Sequence, residues 1–232
     1  MRQAIILAGG FGTRLQPVVQ DVPKSMATVS GRPFLSYLLD FLLRYGVGKS
    51  VLAVGYKHRV IMDYYGDRYQ AMELAYSVEE EPLGTGGAIR QALPVVETAE
   101  ALVLNGDTYF AVNLDALYHW HRERTARVTI ALKQMVQYDR YGSIETDSDG
   151  RIRRFTEKEY RETGYINGGV YLLDRQYFLE QPLPEAFSFE HDFMERRYEH
   201  AGFYGFPGEA FFIDIGIPAD YKKACKHFTS TE

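Results

Sequence analysis

Short hydrophobic runs and amphipathic stretches alternate through the first half of the chain. Apolar runs typical of buried strands occupy residues 3–8, 50–54, 74–78 and 101–105. Residues 33–43 carry apolar side chains at helical spacing and stop before Gly46, which predicts an amphipathic helix. Strands that alternate with helices pair in parallel through right-handed crossovers. The pattern therefore predicts an α/β fold with a doubly wound, mostly parallel, Rossmann-like sheet.

The second half of the chain shows a different pattern. Residues 128–132, 143–146 and 151–155 have the composition of strands, and residues 147–150 between the last two form a typical hairpin turn. This pattern predicts an antiparallel extension of the parallel sheet. A terminal helix is expected around residues 220–223, and residues 1–232 are interpreted as a single domain.

A glycine-rich loop follows the first predicted strand, at the carboxyl edge of the sheet where α/β proteins bind phosphates. Gly9, Gly10 and Gly12 allow a tight turn that brings backbone N–H groups against an anion. Arg14 would add a fixed fork of donors and Lys24 a mobile point charge. The loop is interpreted as a binding site for a nucleoside triphosphate.

Two better-known glycine motifs do not fit this loop. A Walker A loop needs Lys and then Ser or Thr directly after its last glycine, but Thr13 and Arg14 follow Gly12. A dinucleotide motif needs a third small residue where Leu15 stands. The remaining alternative is a glycine turn with an incidental arginine.

Composition and charge narrow the function classes. The chain has 232 residues, of which 46% are hydrophobic and 25% charged, enough for one substantial α/β core. Its net charge of −5 argues against nucleic-acid binding. The absence of a signal peptide and of a long apolar run predicts a cytoplasmic protein without membrane contact. The single Cys225 permits no internal disulfide and is expected to be a partly buried helix residue.

Two aspartates are candidates for a metal site. Asp107 and Asp214 each stand alone at the end of a hydrophobic run, where an unpaired acid is costly to bury. A Mg²⁺ ion held between them would relieve that cost, because Mg²⁺ binds one or two carboxylates together with water and phosphate oxygens. For either aspartate alone, an ordinary turn or helix cap is the alternative.

The order of several motifs resembles a known family. Gly9-Gly10-Phe11-Gly12-Thr13-Arg14-Leu15-Gln16-Pro17, followed by Pro23-Lys24 and Met26, is similar to the signature of the sugar-1-phosphate nucleotidylyltransferases. Further matches follow in the family's order at residues 84–88, 105–107, 155–158, 167–169 and 214–216. Ser25 departs from the pattern, since many members carry a second proline there.

The resemblance implies a nucleotide-diphospho-sugar transferase fold, with a nucleotide-binding half at residues 1–125 and a half at residues 126–232 that binds the sugar and completes the metal site. It implies Arg14 and Lys24 as catalytic residues and Asp107 and Asp214 as Mg²⁺ ligands. The implied nucleotide contacts are Leu7, Ala8, Gly9, Gly10, Gly12, Thr13, Glu79, Glu80, Gly84, Thr85 and Gly106. The implied contacts to the sugar phosphate are Asp107, Glu157, Lys158, Asn167 and Gly168. Without the resemblance, residues 157–159 would be interpreted as a solvated turn.

The base is expected to be guanine. Members of the family that bind uracil or thymine resemble residues 76–84 but carry Gln where Glu79 aligns. A carboxylate only accepts hydrogen bonds, and guanine offers two adjacent donors. Glu79 is the first choice for this contact and Glu80 the second. An exposed acidic loop is the alternative.

The motifs at residues 76–88, 105–110 and 214–218 are similar to those of the D-glycero-D-manno-heptose 1-phosphate guanylyltransferases of surface-polysaccharide synthesis. The expected partners are therefore GTP and this sugar phosphate. Alternatives are mannose 1-phosphate guanylyltransfer, uridylyl or thymidylyl transfer to a hexose phosphate, and a non-catalytic nucleotide-sugar-binding regulator. A glycosyltransferase is disfavoured because Asn105-Gly106-Asp107 lacks the first acid of an Asp-x-Asp motif. The high aromatic content suggests a homodimer.

Overall fold

The structure is a computed structural model that describes residues 1–10, 15, 22–200 and 202–229. Its strands are β1 (Arg2–Leu7), β2 (Thr28–Val29), β3 (Arg32–Pro33), β4 (Val47–Val54), β5 (Arg68–Tyr69), β6 (Met72–Val78), β7 (Glu100–Asn105), β8 (Thr108–Phe110), β9 (Val128–Tyr138), β10 (Ser143–Thr146), β11 (Ile152–Thr156), β12 (Arg161–Asp174), β13 (Phe203–Gly208) and β14 (Phe212–Asp214). Its α-helices are α1 (Phe34–Arg44), α2 (His58–Tyr65), α3 (Gly84–Ala92), α4 (Leu114–Glu123), α5 (Arg175–Leu179), α6 (Glu195–Arg197) and α7 (Pro218–Thr229). Short 3₁₀ turns occur at Lys24–Met26 and Leu93–Val95, and a π-helical turn at Phe189–Met194.

Four parallel strands form the centre of the main sheet, in the order β6, β4, β1, β7. Alternate residues of β1 enter two different cores: Ala4 and Ile6 pack on one face of the sheet and Ile5 on the other. All three side chains are fully buried. Because helices cover both faces, the strands need apolar residues at nearly every position. This explains why the strands appear in the sequence as continuous hydrophobic runs, and the predicted α/β fold is confirmed.

The strand order reverses direction at β1. From β1 the sheet grows through β4 to β6, and the chain then returns to add β7 on the other side of β1. The strand of this sheet that follows β1 in the chain, β4, lies on one side of β1, and the strand that follows β7, β9, lies on the other side, which opens a crevice at the carboxyl ends of β1 and β7.

An antiparallel part extends the sheet beyond β7, as the sequence predicts. β12 pairs antiparallel with β7, β9 and β10, and β10 forms a hairpin with β11. The pairing of β12 with β9 shifts register between Asn167 and Tyr171, so that β12 bulges there. β13 returns to pair in parallel with β9, a strand that the sequence pattern does not predict.

The terminal helix α7 packs against α1 and β8. The ring of Phe228 lies 4.1 Å from that of Tyr37 and 5.2 Å from that of Tyr109, centroid to centroid. Cys225 is half-buried on this helix, as expected. Among the helices of the described residues, none combines the length and hydrophobicity required to span a bilayer.

Candidate active site

A cleft of about 900 Å³ opens at the carboxyl ends of β1, β4, β6 and β7. The predicted nucleotide contacts within the described residues all line it: Leu7, Ala8, Gly9, Gly10, Glu79, Glu80, Gly84, Thr85 and Gly106. Lys24 and Asp107 line the same cleft. Gly12, Thr13 and Arg14 lie outside the described residues, so their roles stay predictions.

The floor of the cleft depends on a close approach of two strand ends. The Gly106 N–H donates a 2.9 Å hydrogen bond to the Leu7 carbonyl oxygen, just after β7 and at the end of β1. A Cβ atom on Gly106 would lie only 2.4 Å from that oxygen, so a larger residue would separate the two strands. The absence of a side chain at Gly106 therefore sets the depth of the cleft.

Lys24 and two aspartates meet at one end of the cleft. The Lys24 Nζ lies 2.5 Å from the Asp107 Oδ2 and 3.7 Å from the Asp214 Oδ1. The antiparallel pair of β8 and β14 sets Asp214 opposite Thr108, the neighbour of Asp107. The Gly216 N–H donates to the Asp214 Oδ1 at 2.6 Å and fixes that carboxylate. The fold thus brings two acids, 107 positions apart in the chain, to a single ammonium group.

The two carboxylates are suitable ligands for Mg²⁺. They offer hard oxygen donors, and both lie within 4 Å of the same Lys24 ammonium group, so one cation can contact the two side chains. No group of three His, Cys, Asp or Glu side chains with metal-binding geometry occurs in the part of the chain that the structure describes. A bound ion would therefore need further oxygens from water or from substrate phosphates, which is the coordination that Mg²⁺ favours.

Glu79 lies at the other end of the cleft. It is half-buried, and its Oε2 accepts a 3.1 Å hydrogen bond from the Leu83 N–H. Burial raises the pKa of Glu79, and the bond from Leu83 opposes that shift. Its Oε1 faces Gly9, where a Cβ atom would come within 2.7 Å. Because Glu80 is exposed, the structure singles out Glu79 as the more constrained of the two candidates.

Glu157 and Lys158 are not part of the cleft lining. Both are exposed in the connection that follows β11. Unlike the predicted nucleotide contacts, Glu157 and Lys158 do not share the cleft with Lys24 and Asp107. Their contact with the sugar phosphate stays a prediction.

Asn167 and Gly168 occupy the bulge of β12. The Asn167 Nδ2 donates to the Tyr171 hydroxyl at 2.9 Å, and its Oδ1 accepts from the Gly169 N–H at 2.9 Å. A Cβ atom on Gly168 would lie 2.5 Å from the Phe110 ring and 2.7 Å from the Ala131 carbonyl oxygen. Close packing therefore requires glycine at this position, independently of any contact with a sugar.

Several cleft residues escaped the sequence interpretation. Gly55, Tyr56 and His58 line the cleft after β4, although the sequence offered no role for His58. Their only signal was their position directly after a buried strand. Asn105 lines the cleft at the end of β7, and its buried Oδ1 has no hydrogen-bond partner among the described residues.

Comparison with known proteins identifies the family of this chain and several similar proteins. Residues 3–231 match the family model described as nucleotidyl transferase. The chain is 46% identical over 224 residues to a D-glycero-alpha-D-manno-heptose 1-phosphate guanylyltransferase of Aneurinibacillus thermoaerophilus, covering 97% of each chain. It is 42% identical to the enzyme of the same name from Campylobacter jejuni, covering 94% of this chain and 96% of that one.

Solved structures share the fold. HddC from Yersinia pseudotuberculosis, complexed with GMP-PN, superposes with a TM-score of 0.88 at 38% identity, covering 98% of this chain and 100% of that one. A putative glucose-1-phosphate thymidylyltransferase from Bacillus anthracis has the same fold, with a TM-score of 0.88 at 18% identity, covering 100% of this chain and 97% of that one. With the family model matched over nearly the whole chain and the cleft built from its motifs, this protein belongs to the nucleotidyl transferase family.

Proposed function

We propose that this protein transfers GMP from GTP to D-glycero-α-D-manno-heptose 1-phosphate, giving GDP-heptose and pyrophosphate. The observation that carries the proposal is a single cleft with a half-buried carboxylate, Glu79, at one end and Lys24 between two aspartates at the other. Such a cleft can hold a nucleotide with its base at Glu79 and its phosphates at Lys24. The names of the two relatives above 40% identity support the choice of base and sugar.

Glu79 selects the base by its hydrogen-bonding character. An ionised carboxylate accepts hydrogen bonds only, and guanine presents two adjacent donors, N1–H and the 2-amino group. The Leu83 N–H holds one oxygen of Glu79 and orients the carboxylate. A uracil or thymine base, whose edge combines donor and acceptor, would leave an acceptor facing an acceptor.

The reaction needs no nucleophilic side chain. A sugar phosphate has a second pKa near ~6, so its attacking oxygen is already largely ionised at neutral pH. That oxygen forms a bond to the α-phosphorus of GTP, and the bond from this phosphorus to the bridging oxygen breaks to release pyrophosphate. The protein's task is to align the two anions and offset their charge.

Lys24 supplies positive charge at the phosphate end of the cleft, with Arg14 and Lys158 as further proposed cations. Asp107 and Asp214 would hold Mg²⁺, which when bound adds positive charge at the phosphate oxygens. Because GTP and sugar 1-phosphates are cytoplasmic metabolites, the proposal implies a cytoplasmic enzyme. Its product would supply heptose for surface polysaccharide.

The test is a pyrophosphate-release assay with a matrix of substrates. GTP, UTP, dTTP and ATP are each combined with heptose 1-phosphate, mannose 1-phosphate or glucose 1-phosphate, with Mg²⁺ and with EDTA. We expect the highest kcat/KM for GTP with heptose 1-phosphate, and no turnover in EDTA. Faster turnover with mannose 1-phosphate would reassign the sugar. Binding of GTP without turnover of any pair would favour a non-catalytic regulator.

A further inference from the structure

Glu190 holds an uncommon position beside the cleft. It lies in the π-helical turn, and its carboxylate accepts hydrogen bonds from three hydroxyl groups. The Thr85 Oγ1 donates to its Oε2 at 2.7 Å and the Ser188 Oγ to the same oxygen at 3.2 Å, while the Tyr171 hydroxyl donates to its Oε1 at 3.2 Å. A partly buried carboxylate is costly unless its hydrogen bonds are satisfied, so these three donors define its environment.

The two oxygens of Glu190 connect the cleft to strand β12, whose residues Tyr171 and Asn167 are not among those that line the cleft. Thr85 belongs to the first turn of α3 and lines the nucleotide end of the cleft. Tyr171 is fully buried on β12 and contacts Asn167 in the bulge. A single side chain therefore joins the nucleotide-side helix to the strand that carries a predicted sugar contact.

These bonds fix which group donates and which accepts in the two hydrogen-bonded branches that start at Glu190. Because the Tyr171 hydroxyl donates to Glu190, it is free to accept from the Asn167 Nδ2, which leaves the Asn167 Oδ1 for the Gly169 N–H. On the other branch, the Thr85 Oγ1 accepts from the Phe189 N–H at 2.8 Å and donates to Glu190. The Thr85 hydroxyl has one donor and one acceptor bond, so it cannot reverse without losing a bond. The Tyr171 hydroxyl, which also contacts the Asn105 side chain, gives its single proton to Glu190.

We propose that Glu190 is a positioning residue that orients Asn167 toward the sugar phosphate through Tyr171, and the start of α3 toward the nucleotide through Thr85. This inference rests on the proposed function. It adds to that function that a single carboxylate, that of Glu190, orients protein groups at both substrate positions. Loss of the whole carboxylate should therefore weaken the binding of both substrates together, whereas loss of one branch should weaken the binding of one substrate.

The test compares the variant Glu190→Gln with the wild type. An amide keeps one acceptor oxygen and places an N–H₂ group at the other position, so either Tyr171 or Thr85 loses the acceptor for its proton. An unsatisfied buried donor costs enough to change affinity by about tenfold. We expect Glu190→Gln to raise the KM of GTP or heptose 1-phosphate by about tenfold, and Glu190→Ala to raise both by at least that factor.

The single-branch variants separate positioning from general damage. Tyr171→Phe removes the branch to Asn167, together with the contact of the Tyr171 hydroxyl to the Asn105 side chain. We expect it to raise the KM of heptose 1-phosphate by about tenfold while the KM of GTP stays within twofold. Thr85→Val removes the other branch, and the KM of GTP should rise instead. Calorimetry with no sugar present should show weaker equilibrium binding of GTP by Thr85→Val and nearly unchanged binding by Tyr171→Phe.

A control for local stability comes from the same turn. The Asp192 Oδ2 accepts from the Ser188 N–H at 2.9 Å, and no hydrogen bond joins Asp192 to Thr85 or Tyr171. Asp192→Ala should lower the melting temperature while both KM values stay within twofold. An equal rise of both KM values in Asp192→Ala would show that Glu190 acts through the stability of the turn and would overturn the proposal.

The outcomes distinguish this inference from the function on which it rests. Absence of wild-type turnover with GTP and heptose 1-phosphate would refute the proposed function, and the positioning role with it. Normal wild-type turnover with unchanged KM values in Glu190→Ala would refute the positioning role alone. If the Glu190 variants do not fold by circular dichroism, an unchanged heptose 1-phosphate KM in Tyr171→Phe refutes the role equally.

Discussion

Lys24 lies between the two aspartates that are proposed to hold a divalent ion. Its Nζ contacts both Asp107 and Asp214, and its side chain is only 12% exposed. A lysine so placed neutralises the acid pair when no metal is bound and competes with any cation for the same oxygens. The same residue is proposed to bind the phosphates of the nucleotide, so we expect binding of nucleotide and metal to draw Lys24 away from the aspartates.

Lys24→Met should therefore bind Mn²⁺ more tightly than the wild type in the absence of nucleotide. We expect about a tenfold gain in affinity, because the Lys24 ammonium no longer competes with the ion for the carboxylate oxygens. Electron paramagnetic resonance of free Mn²⁺ measures this directly. Asp107→Asn is the control and should weaken binding, while an unchanged affinity in Lys24→Met would contradict the competition.

Glu79→Gln should change the choice of base. The amide adds a donor and removes an acceptor, so guanine loses one matched pair and uracil gains one. We expect kcat/KM for GTP to fall about tenfold to a hundredfold and that for UTP to rise. The exposed Glu80→Gln is the matched control and should keep the wild-type preference. The same preference in both variants would show that another group reads the base.

Lys158→Ala tests the sugar-phosphate side of the reaction. The lysine is exposed, so its loss should leave the folded structure intact. We expect the KM of heptose 1-phosphate to rise much more than the KM of GTP, because the resemblance assigns Lys158 to the sugar phosphate. Arg154→Ala removes a neighbouring exposed cation of β11 and is the control. Equal effects of Lys158→Ala on both substrates would count against the assignment.

At the scale of elements, the cleft exists because strand ends approach one another without side chains between them. Gly106 brings the chain after β7 against the end of β1, and Gly55 brings the chain after β4 within contact of Gly9. The crevice is thus a property of the sheet order combined with glycine at its edge.

Gly106→Ala should destabilise the protein and weaken nucleotide binding together. The added methyl group would meet the Leu7 carbonyl oxygen at 2.4 Å, and the strand ends would have to separate. We expect a loss of about 1–3 kcal/mol in the free energy of unfolding, measured in urea, as for overpacked sites. Gly10→Ala is the control, since a Cβ atom there has no neighbour within 4 Å and should change stability by less than about 1 kcal/mol. A stability loss as large in Gly10→Ala would contradict this explanation.

The sequence predicted the existence of the elements better than their length. The expected strand at residues 128–132 continues to Tyr138, because β12 pairs with it along its whole length. Beyond Leu132 the side chains are largely exposed, so no hydrophobic pattern marks the second half of β9. Backbone hydrogen bonds to a partner strand more than 20 positions away form this part, and local sequence does not encode them.

At the scale of the whole molecule, a buried histidine links stability to pH. His121 is buried under the sheet, and its Nδ1 is bonded to the Thr129 Oγ1 at 2.8 Å. Burial lowers the pKa of His121 to about 4, from its ordinary value near 6.5. The unfolded chain therefore binds a proton at a pH where the folded protein does not, and stability falls as the pH drops from about 6.5 toward 4.

His121→Gln should remove this part of the pH dependence. The difference in unfolding free energy between wild type and variant should shrink by on the order of 2 kcal/mol between pH 7.5 and pH 4.5. Urea unfolding at both pH values, followed by circular dichroism, measures the free energy of unfolding of each protein. Groups that titrate equally in wild type and variant cancel when one free energy is subtracted from the other. An equal difference at both pH values would show that His121 is protonated in the folded protein.

The sequence by itself determined the α/β class and named many of the residues that line the cleft. These follow from local signals: hydrophobic period, glycine at strand ends, and motifs in a fixed order. Glu79 could be named for the same reason, since it directly follows a predicted strand.

Only the tertiary structure decided which distant groups meet. Lys24 contacts Asp107 and Asp214 because β8 pairs with β14, and Glu190 reaches Thr85 and Tyr171 because the π-helical turn packs against α3. Glu190 carried no signal in the sequence, where it is one acid in a mixed polar segment. Contacts between residues in different elements depend on strand order and packing, which hydrophobic patterning leaves open.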